Sequence, residues 1–451
     1  MRDSNFLIEN NARHLWHPMA HPAEMQANPP RIVNGGEGVE VIDIHGKKVL
    51  DAVGGLWNVN LGYSCEPVKK AIRDQLDSLP YYSTFRGTTN SPLIELSYEL
   101  AEFFKEDGLT RAFFTSGGSD SVETALRLAR QFHKINGQPE RTKFVSLKRA
   151  ITARILAALR SMAMPISAAT MSRFCRACSI WRHPIPIATR SIWTTRRRLL
   201  RPLRASLRMK SRFRVRTPLP PSSWSRFWGR GVIVPHESFM PLMREICDRH
   251  GILLIADEVI TAFGRTGAWT GSRGWGVKPD MMTTAKAITN GYFPFGAVMI
   301  SDKVASVFEA NKNSLGAIGH GYTYSGHPVG AAAALATLKE TARANTAANA
   351  GARGVELMAG LNQLKEKHEL VGDVRGKGLM AALELVSDRE KKSAAAKTVV
   401  QKVYDVAYEE GVMVRTSGAN VIISPPLVIT PADVNRIVSA LDAGLSAAKG
   451  Q

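Results

Sequence analysis

The stretch GILLIADEV, residues 251–259, carries an unbroken apolar run that ends in two acidic residues. Such a run predicts a parallel strand that is buried on both faces of an α/β sheet. Asp257 then stands at the carboxyl end of the strand, which is the edge where these sheets bind ligands. A buried carboxylate needs a partner. The partner is an arginine, a helix N-terminus or a bound group, and this stretch leaves the choice open.

A second strand and a helix are predicted by RAFFTSGGSDSVETALRLARQF, residues 111–132. Apolar side chains recur at helical spacing along one face of the predicted helix, namely Val122, Ala125, Leu126, Ala129 and Phe132. Asp120 and Glu123 have the spacing of a capping box, which predicts that the helix starts near them.

The turn before this helix is a candidate phosphate site. Gly117, Gly118 and Ser119 place backbone N–H groups and a hydroxyl at a helix N-terminus, where the helix dipole favours an anion. A glycine-containing turn that only connects a strand to a helix is the alternative. By itself the turn favours that alternative.

Lys286 lies in PDMMTTAKAITNGYFPFGAVMI, residues 279–300, directly after a strand-like run. Its neighbours Thr284 and Ala285 are small, and a loop rich in glycine and proline follows. Burial lowers the pKa of a lysine and makes its amine a nucleophile for carbonyl groups. The alternative is a lysine that extends to the surface.

The segments on either side have regular patterns. Residues 37–62 predict a β-hairpin around His45-Gly46 and then a glycine-rich turn, and residues 67–78 and 92–105 have helical spacing. Hydrophobic residues make up 44% of the 451 residues, which is typical of a globular enzyme. We find no signal peptide, no transmembrane run and no disulfide framework, so we expect a cytoplasmic protein without a membrane partner.

The net charge of +20 is concentrated in one part of the chain. Residues 150–230 hold 17 Arg and one Lys without any acidic residue, whereas the rest carries 41 basic and 39 acidic side chains. A nucleic-acid-binding arm is one interpretation, although such arms are usually rich in Lys, Gly and Ser.

We prefer a frame-slip hypothesis for residues 150–230. The residues from Ala150 to Leu159 are compatible with a coding sequence that, read one nucleotide earlier, gives Gly-Tyr-His-Gly followed by further sensible residues. The same offset near residues 223–230 permits a Glu-Pro-Val segment. A compensated pair of frame slips explains the composition of the stretch without a nucleic-acid function.

Together these motifs resemble the class III aminotransferases of fold type I, in particular the ω-amino acid:pyruvate branch. The residues that carry the resemblance are Gly118-Ser119, Ala256-Asp257-Glu258-Val259, Ala285-Lys286 and the run HGYTYSGHP at 320–328. The resemblance implies an α/β fold with a large domain, residues 61–330, built on a mostly parallel seven-stranded sheet. A smaller α+β domain combines residues 1–60 with residues 331–451.

The resemblance also implies a pyridoxal 5'-phosphate cofactor. Lys286 forms the Schiff base, Asp257 pairs with the pyridinium nitrogen, and Gly118 and Ser119 bind the phosphate. Thr323 joins the phosphate site from another subunit, which implies a homodimer and leaves a tetramer open.

The substrates implied are an amine donor and a keto acid such as pyruvate. Trp57 and Phe85 resemble pocket aromatics, with ordinary core packing as the alternative for each. Arg415 resembles the arginine that receives the acceptor's carboxylate, with a surface salt bridge as the alternative.

The sequence is compatible with two other functions of the same fold. A same-fold aminomutase or decarboxylase would keep Lys286 and Asp257. A protein of this fold without activity follows if residues 150–230 are real, because the Gly-Tyr-His-Gly and Glu-Pro-Val segments of the family are then missing.

Overall fold

The computed structural model describes residues 3–11, 13–85, 87–146 and 231–449. The stretch to which the frame-slip hypothesis applies, residues 150–230, lies outside the described residues. The described strands are β1 Val33–Glu37, β2 Glu40–Asp43, β3 Lys48–Asp51, β4 Leu109–Thr115, β5 Ile255–Asp257, β6 Met281–Thr284, β7 Gly296–Ser301, β8 Val371–Gly376, β9 Ala381–Asp388, β10 Ser393–Ala394, β11 Val412–Met413, β12 Arg415–Ser417 and β13 Asn420–Ile423.

The described helices of six residues or more lie between and around these strands. They are α1 Ser4–Asn10, α2 Pro22–Ala27, α3 Glu66–Ser78, α4 Ser91–Phe103, α5 Gly118–Ile135, α6 Phe239–Arg249, α7 Asp302–Ala310, α8 Pro328–Arg343, α9 Thr346–Lys367, α10 Lys397–Glu409 and α11 Pro431–Ala447. No helix in the described ranges is long and apolar enough to cross a membrane.

One described sheet has the strand order β4-β7-β6-β5. Strands β5 and β6 are parallel, whereas β7 runs antiparallel to both β6 and β4. The carboxyl ends of β4, β5 and β6 therefore lie at the same edge of the sheet. The side chains of β5 and β6 are buried throughout, as the apolar run before Asp257 predicts. The expected number of seven strands stays a prediction, because residues 147–230 lie outside the described part.

The N-terminal strands join the C-terminal part of the chain. Strands β1, β2 and β3 form a sheet with β11, and β3 pairs with β11 in parallel, Leu50 opposite Val412. A separate sheet contains β8, β9, β10, β12 and β13. One apolar core includes Leu50 together with residues from 350 to 448. The pairing fits the proposed combination of residues 1–60 with 331–451, although the domain boundaries themselves stay a prediction.

The predicted hairpin and helices are present. Strands β2 and β3 are antiparallel around His45 and Gly46, and the carboxylate of Asp43 accepts the backbone N–H groups of His45 and Lys47, both at 2.9 Å. The regions predicted as helices at 67–78 and 92–105 form Glu66–Ser78 and Ser91–Phe103.

The predicted start of helix α5 is wrong by three residues, because the capping box would make Asp120 the N-cap. The helix begins at Gly118 with Gly117 as its N-cap, so Asp120 lies inside the first turn and forms no capping box with Glu123. The backbone of Gly117 is extended, as at an N-cap, so the helix begins before the polar pair is reached. The apolar face is as predicted, because Val122, Ala125 and Ala129 are buried.

Candidate active site

The three predicted chemical motifs meet at one edge of the β4-β7-β6-β5 sheet. Asp257 ends β5 and lies opposite Thr283 of β6, and Lys286 follows β6 by two residues. Thr115 ends β4 and lies opposite Gly296, the first residue of β7. The topology thus brings the carboxylate, the amine and the first turn of α5 together at the ligand-binding edge.

Lys286 begins a single 3₁₀ turn, Lys286–Thr289, and its backbone has a positive φ of 54°. Its side chain turns towards the N-terminal part of the chain, where Nζ donates a hydrogen bond of 2.9 Å to the carbonyl oxygen of Leu56. Removal from water, helped by the positive charge of Arg415, lowers the pKa of Lys286 to about 8, against the opposing charge of Asp257. The side chain of Lys286 therefore does not extend into solvent, which was the alternative prediction.

Asp257 is 1% exposed. Its Oδ1 atom accepts the backbone N–H of Val259 at 3.3 Å and the hydroxyl of Thr283 at 3.4 Å. The negative charge of Asp257 raises the pKa of Lys286 and so opposes the effect of burial. A buried carboxylate here can stabilise a positive charge that lies beside the lysine.

The first turn of α5 is hydrogen-bonded to the end of β6. The hydroxyl of Ser121 donates to the carbonyl of Thr284 at 3.2 Å and lies 2.7 Å from the hydroxyl of Thr115. A Cβ atom at Gly296 would lie 2.7 Å from each of these hydroxyl oxygens, so glycine is needed for the close approach. Gly118 and Ser119 open the 18-residue helix, and their backbone N–H groups have no acceptor within it. An anion at this end is favoured by both features.

Trp57 and Arg415 form a pair beside Lys286. Trp57 is 2% exposed and belongs to the core, and the guanidinium carbon of Arg415 lies 5.2 Å from the centre of its ring. Arg415 is half-buried, and burial lowers its pKa. Within the described part of the chain no acidic side chain lies within ion-pair distance of Arg415, so a surface salt bridge is not found there.

Phe85 and Thr323 lie in a different environment. Phe85 is 49% exposed, and its ring packs on Gly321, where a Cβ atom would approach the ring to 2.7 Å. Thr323 is exposed, and its carbonyl accepts the hydroxyl of Tyr81 at 2.7 Å. Ordinary core packing is therefore wrong for Phe85. Trp57 is a core residue, and its ring also contacts Arg415.

Two features of the site could not be predicted from the sequence. The carbonyl of Leu56 contacts Lys286 through a backbone atom, which leaves no side-chain pattern, although the Gly54-Gly55 pair beside it signals an unusual turn. Glu258 is 0% exposed, and its carboxylate accepts the N–H groups of Gly271 at 2.8 Å and Ser272 at 2.6 Å. Burial raises the pKa of Glu258. Its role is to hold the loop that follows β5.

The residues at this edge fit a phosphorylated aldehyde with a ring nitrogen. Lys286 supplies a half-buried amine with a lowered pKa, Asp257 a buried carboxylate, and the N-terminus of α5 backbone N–H groups that have no acceptor within the helix. No group of three or more His, Cys, Asp or Glu side chains in the described ranges is arranged to hold a metal ion. The chemistry of the donors matches pyridoxal phosphate.

Comparisons with known proteins give the same result. The sequence profile described as Aminotransferase class-III matches residues 22–210 and 229–445. A putrescine–pyruvate aminotransferase of Pseudomonas aeruginosa is 32% identical over 94% of this chain and 92% of its own length. A diaminobutyrate–2-oxoglutarate transaminase of Halomonas elongata is 31% identical over 96% of this chain and 94% of its own.

Solved structures agree with these relatives. An (S)-enantioselective ω-transaminase from Thermomicrobium roseum superposes with a TM-score of 0.91 at 32% identity, covering 100% of both chains. An amine transaminase from an uncultivated Pseudomonas species, solved with pyridoxal phosphate bound, has a TM-score of 0.89 at 38% identity and covers 96% of this chain and 98% of its own. The expected α/β fold of type I is thereby confirmed. The chain belongs to the class-III aminotransferases, which use pyridoxal phosphate to transfer amino groups.

Proposed function

We propose that the protein moves an amino group from an amine or ω-amino acid to a keto acid such as pyruvate. The observation that carries the proposal is the arrangement of the Lys286 amine, with its pKa of about 8, between a buried carboxylate and a guanidinium without an acidic partner in the described residues. The named relatives include a putrescine–pyruvate aminotransferase and a diaminobutyrate–2-oxoglutarate transaminase, which supports an amine donor and a keto-acid acceptor.

Lys286 is the proposed catalytic residue for proton movement. With a pKa of about 8 its amine is neutral in a useful fraction of molecules near neutral pH and can take up a proton at Nζ. Pyridoxal phosphate, when bound, supplies an electron sink for the charge left on the substrate carbon. Asp257 would pair with the cofactor's ring nitrogen and favour its protonated form, and Gly118 and Ser119 would hold its phosphate.

Arg415 is the proposed site for the carboxylate of the keto acid. A guanidinium binds a carboxylate through two parallel hydrogen bonds, and Arg415 has no acid to release first among the described residues. Its place over Trp57 leaves it near the Lys286 amine. A decarboxylase with an amine product would have less use for this side chain, so transamination is the preferred reaction.

A homodimer is proposed to complete the site, with a tetramer left open. Phe85, Tyr324 and Tyr82 are 49%, 58% and 54% exposed, and exposed aromatic side chains are typical of interaction surfaces. Thr323 lies on the same surface, and a second copy would place it against the phosphate site. A cytoplasmic location stays a prediction, and nucleic acid and membrane are not proposed as partners.

The test compares two chains. One has the printed sequence, and in the other, the frame-restored chain, residues 150–230 are replaced by those of the shifted reading frame. Each is incubated with pyridoxal phosphate, pyruvate and an amine such as putrescine or β-alanine, and alanine is measured. Alanine from the frame-restored chain supports the proposal, and its absence with every amine tried refutes it. Alanine from the printed chain would refute the frame-slip hypothesis and leave the proposed function intact.

A further inference from the structure

Asp51 is a buried carboxylate that the proposed mechanism does not use. It is 1% exposed and accepts three consecutive backbone N–H groups, from Val53 at 2.9 Å, Gly54 at 3.0 Å and Gly55 at 2.6 Å. The hydroxyl of Tyr63 donates a fourth hydrogen bond of 2.5 Å. The carboxylate therefore fixes the backbone of the turn that follows β3.

This turn presents one carbonyl to the catalytic lysine. Gly54 and Gly55 have φ values of 61° and 64°, so the turn depends on two residues without a side chain. The N–H of the next residue, Leu56, donates to the side chain of Asn58 at 2.9 Å, and its carbonyl accepts the amine of Lys286. The position of that carbonyl is thus set by hydrogen bonds on the preceding residues.

We infer that Asp51 is a positioning residue for Lys286, which acts by holding the Leu56 carbonyl as the acceptor of the lysine amine. The inference rests on the proposed function, in which Lys286 takes up and releases a proton. A neutral amine that donates one N–H to a fixed carbonyl keeps its lone pair directed away from that oxygen. A charged amine donates to the same carbonyl more strongly.

The direction of the effect on Lys286 follows from this contact. Burial lowers the pKa of Lys286 to about 8, and the Leu56 carbonyl works in the opposite sense because it favours the protonated amine. If the turn moves while Lys286 stays out of water, the ammonium loses this acceptor. The pKa then falls further.

A second aspartate of the same hairpin offers a matched control. Asp43 accepts the N–H groups of His45 and Lys47 at 2.9 Å each and the hydroxyl of Tyr408 at 2.8 Å. Its role in a turn is the same as that of Asp51, but the turn it fixes has no contact with Lys286 among the described residues. Asp43→Asn therefore removes a carboxylate that caps a turn without the loss of the lysine's acceptor.

The experiment measures the pKa of Lys286 in the full chain without cofactor. Acetic anhydride labels neutral amines, and the label on the peptide that contains Lys286 is followed by mass spectrometry between pH 6 and pH 11. For Asp51→Asn we expect a fall of about one pH unit from the wild-type value, the size expected for a hydrogen bond to a charged group. Asp43→Asn should leave the value unchanged. Since no turnover is required, the result is independent of whether the proposed function is correct.

Two outcomes would overturn the inference. An unchanged pKa of Lys286 in Asp51→Asn would show that the carboxylate does not govern the contact. A rise in the pKa of Lys286 would show that Asp51 keeps water away from the amine and does not hold its acceptor in place. If Asp51→Asn does not fold, Gly55→Ala replaces it, because the added Cβ would lie 2.6 Å from the Oδ1 atom of Asn58 and displace the turn from its other side. The same fall is expected, and an unchanged pKa again contradicts the inference.

Discussion

Replacement of Arg415 by glutamine should weaken the binding of the keto acid and leave the amine almost unaffected. The guanidinium is half-buried and has no acidic partner in the described ranges, so a substrate carboxylate would make its first charge-assisted pair. Loss of such a pair costs about 1.5–3 kcal/mol, which corresponds to about a ten- to hundredfold rise in KM for pyruvate. An uncharged amine has no group for the guanidinium to bind, so its KM should change much less.

The assay measures kcat and KM for pyruvate and for an uncharged amine donor in the frame-restored chain. Arg415→Lys keeps a positive charge without the two-pronged geometry and should fall between wild type and Arg415→Gln. Arg436→Gln serves as a control, because Arg436 pairs with Glu40 on the surface at 2.9 Å and should change neither KM. Equal rises for both substrates in Arg415→Gln would refute the reasoning and indicate that Arg415 supports Trp57 structurally.

The other predictions concern the lysine, a buried glutamate and the basic stretch. Borohydride reduction of the cofactor-loaded chain should attach the cofactor to Lys286 in peptide maps and to no other lysine, and Lys286→Ala should lose both the attachment and turnover. Because the pKa of Lys286 is about 8 when folded and near 10.5 when unfolded, the wild type should gain unfolding free energy relative to Lys286→Met as pH rises from 8 to 10.5; denaturant titration showing a constant difference would contradict this. Glu258→Ala leaves two buried N–H groups unsatisfied and should cost about 2–4 kcal/mol in denaturant unfolding, and a loss below about 1 kcal/mol would be inconsistent with the network. Mass spectrometry of peptides after Lys148 should give the residues of the shifted frame, and masses that match the printed residues 150–230 would refute the frame slip.

The chemical motifs that lie on single strands or turns could be predicted from the sequence. Asp257 and Lys286 each follow a short apolar strand, and the parallel pairing of β5 and β6 places them together as expected. The roles expected for Arg415 and Thr323 came from the family resemblance, because the residues around them form no pattern that indicates a ligand site.

What could not be predicted depends on contacts between distant parts of the chain. The Leu56 carbonyl reaches Lys286 across 230 residues of sequence, and a backbone acceptor has no residue type that would reveal it. The start of α5 differs from the prediction because capping patterns favour polar residues, whereas the N-cap is Gly117, three residues before Asp120. The sequence does not distinguish a pocket position from core packing for Phe85, and its exposed fraction of 49% in the structure excludes core packing.

The parallel pairing of β3 with β11 has a consequence for biosynthesis. Leu50 leaves the ribosome long before its partner Val412 is made. At ordinary rates of translation the interval is about 20–70 s. Throughout that time the hairpin that carries Asp51, the Gly54-Gly55 turn and Trp57 lacks the neighbour that completes its sheet. Lys286 is also synthesised before that neighbour, so a nascent chain cannot complete this arrangement until nearly all of it has emerged.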